Sequence, residues 1–200
     1  MSDNLHDQIR AAITPMEGWC WPEKALALAD LILSTQPQIV VEIGVFGGRS
    51  LIPQAMALRT NGAGMIYGID PWKLEAALEG ENGPESEAWW RNNVNLHDIH
   101  RKCVEEIWRH GLDDWCVLLR CPSQRAVTLF PSIDILHLDG NHSELASCRD
   151  VELYLPRIKH GGHVWMDDTD WQTTQRAVGL LEESTERIAS VGACRLYRKR

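Results

Sequence analysis

Five carboxylates stand where apolar runs of this sequence end. They are Glu42 in Val40-Val41-Glu42-Ile43-Gly44, Asp70 after Ile66-Tyr67-Gly68-Ile69, Asp139 after Ile133 to Leu138, and Asp167-Asp168 after Val164-Trp165-Met166. If those runs are neighbouring parallel strands, the acids gather along one edge of the sheet, the carboxyl edge beyond which open α/β sheets bind ligands. Their mutual repulsion would raise some pKa values unless a cation or hydrogen bonds offset it. A divalent metal is the economical offset, and hard oxygen ligands suit Mg²⁺, Mn²⁺ or Ca²⁺ better than zinc, with magnesium the first candidate. His142 follows Asp139 by three residues in a turn, and an imidazole there can take a proton near pH 7. Its plainer reading is a turn residue bonded to backbone. His137 alternates inward on a buried strand and reads as a satisfied core histidine.

The run Val40 to Ser50, followed by Ile66 to Asp70, reads as a buried strand, a glycine turn, a helix start and a second strand ending in an acid. Glycines let backbone approach a ligand closely, the helix start offers unpaired amides, and an acid about twenty positions on suits ribose hydroxyls. The spacing therefore indicates a nucleoside cofactor. A dinucleotide site uses G-x-G-x-x-G, whereas this chain has Glu42-x-Gly44-x-x-Gly47-Gly48, without the middle glycine that admits a pyrophosphate. Glu42 would repel a pyrophosphate; it can meet a cationic amino-acid head group or order the loop.

This stretch resembles motif I of class I S-adenosylmethionine (SAM) methyltransferases. The catechol-type O-methyltransferase form, Glu-x-Gly-x-x-x-Gly-x-Ser, is met by Glu42, Gly44, Gly48 and Ser50. The resemblance implies SAM as cofactor, held by those four residues with Asp70, Asp139 and Ser123. Ser123 stands where the family contacts the adenine, although the customary acid is missing there. Trp72, directly after Asp70-Pro71, is the best single candidate for a cofactor wall. The metal-dependent branch of catechol-type and macrolide-sugar O-methyltransferases carries an Asp after strand four and an acidic pair after strand five as metal ligands, with a Lys or His base three residues after the first ligand. On that resemblance Asp139, Asp167 and Asp168 hold the metal and His142 is the general base. The implied reaction is methyl transfer to a hydroxyl of a small molecule. Two rivals share the strand-turn-helix: an NAD-dependent oxidoreductase and a noncatalytic SAM-binding protein.

The elements that must position these residues follow from patterning. Apolar runs alternate with amphipathic segments, as in a parallel sheet covered by helices. Strands are expected near 39–43, 65–70, 116–120, 133–138 and 162–167, and helices near 22–34, 50–59, 86–110, 123–129, 143–155 and 171–184. Pro22 suits a first helical position, Pro53 falls in a first turn, and Asn141 with Glu144 resembles a capping box. Segments 187–191 and 193–197 flank Gly192 as an antiparallel hairpin. The expected fold is thus Rossmann-like, doubly wound and mostly parallel, seven strands by the resemblance, with residues 36–200 as the SAM-binding domain and residues 1–35 as a helical extension. Lys73 to Glu87 reads as a loop, either solvated surface or a lid.

Bulk properties narrow the partners. With 200 residues and 44% hydrophobic content the chain suits one domain with a substantial core. A formal charge of -8 argues against nucleic-acid backbones as partners. The basic ending at Arg195, Arg198, Lys199 and Arg200 reads as the solvated edge of a last strand. Six cysteines without a C-x-x-C pair read as reduced thiols, which with no long apolar span and no signal-peptide pattern points to a cytoplasmic protein away from membranes. Trp19-Cys20-Trp21 could serve a homodimer.

Overall fold

Short apolar runs pair as strands here because alternate side chains can be buried on both sheet faces. The computed structural model describes residues 2–80 and 83–200. Strands β1 (Ile39–Ile43), β2 (Met65–Ile69), β3 (Cys116–Leu119), β4 (Ile133–Leu138), β5 (Ile158–Met166), β6 (Thr185–Val191) and β7 (Cys194–Lys199) form one sheet in the order β3-β2-β1-β4-β5-β7-β6. The first five pair in parallel, and β7 runs antiparallel to both β5 and β6. The helices are α1 (Ser2–Ile13), α2 (Pro22–Thr35), α3 (Leu51–Asn61), α4 (Leu74–Ala77), α5 (Pro84–Asn93), α6 (Leu96–Arg109), α7 (Ser123–Ala126), α8 (Glu144–Tyr154) and α9 (Gln175–Ser184). This is the expected Rossmann-like sheet with its reversed last strand.

Strand parity divides the core in two. Val40, Ile135 and Trp165 face one side, with Ile9, Leu28, Ile52 and Cys103 from α1, α2, α3 and α6. Val41, Leu136 and Val164 face the other, with Ala126, Val151 and Leu181 from α7, α8 and α9. Residues before position 36 therefore share a core with the sheet. Among the described residues, no helix is long and apolar enough to cross a membrane.

Several expectations are corrected. The helix expected over 86–110 is two, because Val94 leaves helical geometry and the Asn95 side chain caps α6 by accepting from the Asp98 amide at 3.2 Å. The stretch from Lys73 to Glu87 contains α4 and the start of α5, while Glu81 and Asn82 lie outside the described residues. The capping box at Asn141 is replaced by Ser143, whose hydroxyl accepts from the Ala146 amide. β5 starts earlier than expected, so Gly161 and Gly162 lie within it. β7 is an interior strand, and the sheet edge beside it is β6. The basic ending is correspondingly engaged: Lys199 Nζ donates to the Leu155 and Ile158 carbonyls, and Arg200 to those of Glu182 and Glu183.

Candidate active site

Register brings the strand ends level. Ile43 lies opposite both Ile69 and Leu138, and Leu138 opposite Met166, so the following residues Gly44, Asp70, Asp139 and Asp167 stand side by side at the carboxyl edge. From β1 the chain turns to β2 on one side and later returns to β4 on the other. In open α/β sheets, ligands bind beyond the strand ends at such a point of divergence.

Asp70 organises the glycine turn. Its Oδ2 accepts the amides of Val45 at 3.1 Å and Phe46 at 2.9 Å, and its Oδ1 accepts that of Trp72 at 2.7 Å. These bonds hold Phe46 at φ 49° and Trp72 at φ 45°, a left-handed conformation that costs a non-glycine residue roughly 1–2 kcal/mol. A carboxylate has about four acceptor sites, and the three amides take all but one of them. Burial pushes the Asp70 pKa up, with the three amides opposing. Gly44 has φ 88°, and a Cβ there would lie 1.9 Å from the Asp139 carbonyl oxygen. Gly48, at φ 84°, would place one 2.8 Å from Cys103 Sγ. The close approach these glycines permit is therefore to the chain itself. Trp72 is 3% exposed, donates its indole N–H to the Phe46 carbonyl at 2.8 Å and packs on His100.

Beneath the edge runs a buried polar row set by parity. Glu42 on β1 lies opposite His137 on β4, and His137 opposite Trp165 on β5. Glu42 accepts from Ser50 Oγ at 2.7 Å and Gln54 Nε2 at 2.5 Å, with His137 Nδ1 at 3.2 Å. Of its two expected roles it takes the second, ordering the turn, and the Ser50 hydroxyl is committed to it. His137 is buried but not satisfied, since among the described residues its Nε2 has no hydrogen-bond partner, and it faces Asp167 Oδ1 at 3.5 Å. Asp167 accepts from Trp165 Nε1 at 2.8 Å. Lys24 reaches into this row from α2, with its Nζ 2.8 Å from Asp139 Oδ2 and in direct contact with Asp167 Oδ2.

At the surface, Asp139, His142 and Asp168 are all partly exposed. His142 Nε2 lies 2.7 Å from Asp168 Oδ2 and 3.7 Å from Asp139 Oδ1, and its ring is 5.0 Å from that of the exposed Trp171. Burial lowers the His142 pKa, but the Asp168 bond and the Asp139 charge outweigh it and the net shift is upward. Asp168 moves down, its burial cost overcome by His142. Asp168 also has a positive φ, 48°, and its carbonyl accepts from Thr174 Oγ1 and the Trp171 amide.

Among the described residues, Asp139, Asp167 and Asp168 do not fall in one cluster. Asp139 and Asp167 turn to Lys24, and Asp168 turns to His142. Among the described residues, Asp139 belongs to both groups whose donor atoms lie within 4.8 Å of one another, His137-Asp139-Asp167 and Asp139-His142-Asp168. The ammonium fills the first of these, and ligation in the second would break the His142–Asp168 pair. Ser123 is buried and donates its hydroxyl to Asp150, while its carbonyl accepts from Tyr154 at 2.7 Å. Sequence reasoning missed Lys24, His137 and Asn141. The Asn141 amide donates to the carbonyls of Ala76, Ala77 and Glu79, each at 3.0 Å, tying the segment after β2 to the β4 turn. Lys24 did leave a signal, its i, i+4 spacing to buried Leu28 and Ile32.

A family profile for a methyltransferase domain matches residues 41–169. The uncharacterized protein R132 of Acanthamoeba polyphaga mimivirus is 30% identical over 128 residues, which is 64% of this chain and 50% of that protein. The chain thus spans about half the length of that curated relative. Among solved structures, the O-methyltransferase from Bacillus cereus in complex with SAH superposes with a TM-score of 0.66 at 14% identity, over 99% of this chain and 90% of that one. TomG from Streptomyces achromogenes, an O-methyltransferase of tomaymycin synthesis solved with SAM, gives 0.66 at 15% identity over 98% and 90%. A methyltransferase from Geobacter sulfurreducens gives 0.62 at 16% over 99% and 87%. At these identities the likeness is one of fold.

Proposed function

Because this chain belongs to the methyltransferase-domain family, we propose that it transfers a methyl group from SAM to a hydroxyl of a small molecule, with His142 as the general base. The acidic edge suits a positively charged donor and disfavours a pyrophosphate carrier. Gly44 and Gly48 shape the turn, and the free acceptor site on Asp70 suits one hydroxyl of the ribose. Bound SAM supplies an already activated sulfonium methyl, which leaves the protein to align the acceptor, exclude water and take up one proton. His142 is placed for that last task. Asp168 Oδ2 lies 2.7 Å and Asp139 Oδ1 3.7 Å from Nε2, so an imidazole that takes up the hydroxyl proton keeps the resulting charge beside two carboxylates. The observation that carries this reading is the 2.7 Å His142–Asp168 pair at the sheet edge, beside the β1 turn. Six free cysteines, five of them buried, suit a reducing compartment such as the cytoplasm.

Isothermal titration with SAM and with NAD tests the cofactor, and SAH release against a library of hydroxylated small molecules tests the reaction. SAM binding with SAH release is expected. NAD binding in place of SAM would reinstate the oxidoreductase, and SAM binding without transfer to any member would leave a noncatalytic SAM-binding protein.

A further inference from the structure

Lys24 occupies the place where a metal-dependent arrangement would put its ion. It is 2% exposed, and its ammonium contacts one oxygen from each of Asp139 and Asp167. The other Asp167 oxygen accepts the Trp165 indole N–H, so both Asp167 oxygens are engaged. A strongly hydrated ammonium keeps its charge in a protein interior when carboxylates replace its water. The fold builds that position deliberately: Pro22 starts α2 so that Lys24, Leu28 and Ile32 share its buried face, and the Trp21 ring lies 5.9 Å from Nζ. Lys24 also lies outside the segment 41–169 that matches the family.

We propose that Lys24 is the resident cation of this carboxylate site, a positioning residue that holds Asp139 and Asp167 in place and keeps divalent ions out. Mg²⁺ requires near-ideal octahedral oxygen ligation at about 2.0–2.1 Å. Here the buried Asp167 and the partly exposed Asp139 each spend an oxygen on the Lys24 amine. Proton removal from the acceptor then falls to the His142–Asp168 pair alone. As a statement about catalysis this rests on the methyl-transfer reading; as a statement about ion binding it stands by itself.

The test is a Mn²⁺ titration followed by electron paramagnetic resonance, with the full chain and no SAM. The wild-type protein should leave the free Mn²⁺ signal undiminished at equimolar concentration, and Lys24→Ala should remove one Mn²⁺ per chain, an uptake lost again when Asp167→Asn is added. The melting temperature of Lys24→Ala should fall by roughly 10 °C and recover with Mn²⁺. Should Lys24→Ala fail to fold, Lys24→Arg, which keeps the charge, should fold and remain blind to Mn²⁺. Stoichiometric Mn²⁺ capture by the wild type, a folded Lys24→Ala that takes up none, or an Arg variant that binds it would each overturn the proposal. With SAM present, EDTA should leave wild-type turnover unchanged; loss of turnover restored by Mg²⁺ would also overturn it. The titration involves no methyl transfer, so its failure leaves the proposed function standing, and absent SAM binding would sink that function without touching this result.

Discussion

Asp150 on α8 should make the protein less stable at neutral pH than in mild acid, by an amount that the structure allows to be worked out. The side chain is buried and its main partner is the Ser123 hydroxyl. Burial raises its pKa from 3.8 to about 6, with Ser123 and Arg149 opposing. A carboxyl with a raised folded-state pKa binds its proton more tightly in the folded chain than in the unfolded one. Its contribution to stability is therefore full below pH 3.8 and is lost as pH rises through about 6. Two pKa units and slightly more correspond to about 3 kcal/mol in all, of which about 1.4 kcal/mol lies between pH 8 and pH 5. Asp150→Asn keeps an acceptor for Ser123 and removes the titration. Urea unfolding of both proteins from pH 5 to pH 8 isolates the effect, because the other carboxylates cancel in the difference. The variant should gain relative to the wild type by about 1.4 kcal/mol across that range. A stability difference constant within about 0.3 kcal/mol over the same range would refute the reasoning.

His142→Ala should lower turnover by roughly 10²–10⁴ while SAM affinity by calorimetry stays within a few fold; equal loss of SAM binding would mark the residue as structural. Gly44→Ala forces a left-handed alanine and a Cβ at 1.9 Å from the Asp139 carbonyl oxygen, so chemical denaturation should show a loss on the order of 2–4 kcal/mol. A variant within about 0.5 kcal/mol of wild type would contradict that packing. Asn141→Ala releases three backbone carbonyls, and hydrogen exchange should speed up in residues 74–80 by roughly tenfold, with α3 unaffected. Unchanged exchange there would show that the Arg149–Glu79 pair, with two nitrogen–oxygen contacts of 2.7 Å, suffices to hold the segment.

What the sequence disclosed and what it hid follow from the range of the interactions involved. Strands of five or six apolar residues ending in an acid, and a glycine turn before a helix, are local signals; the sheet and the level ends of β1, β2, β4 and β5 were legible from them. The break at Val94-Asn95 was not, because amphipathic spacing runs across it and only the cap geometry of Asn95 ends one helix and starts the next. From sequence His137 looks like an ordinary core residue, since period two shows that it points inward but not what lies across from it. Pairing register supplies Glu42 on one side and Trp165 on the other. Lys24 is harder still. A lysine among Ala and Leu reads as a solvent-facing position, and its carboxylates arrive from residues 139 and 167, more than a hundred positions away.

The repulsion expected among five gathered acids is resolved one acid at a time. Asp70 is offset by three backbone amides, Glu42 by Ser50 and Gln54, Asp139 and Asp167 by one ammonium, and Asp168 by an imidazole. The division follows strand parity and depth. Glu42, His137 and Asp167 lie beneath α2 and α3, where leaving a charge unpaired costs several kcal/mol, and their partners are fixed by packing. Asp139 bridges the two levels, with one oxygen toward Lys24 below and the other toward His142 above. A change at Lys24 should therefore reach His142 through the shared Asp139 carboxylate and through the loss of the Lys24 charge itself, whereas a change at Asp168 should alter His142 and leave the buried row intact. That asymmetry is what separates a positioning cation from a base: loss of the first shifts the orientation of the second, but loss of the second leaves the first in place.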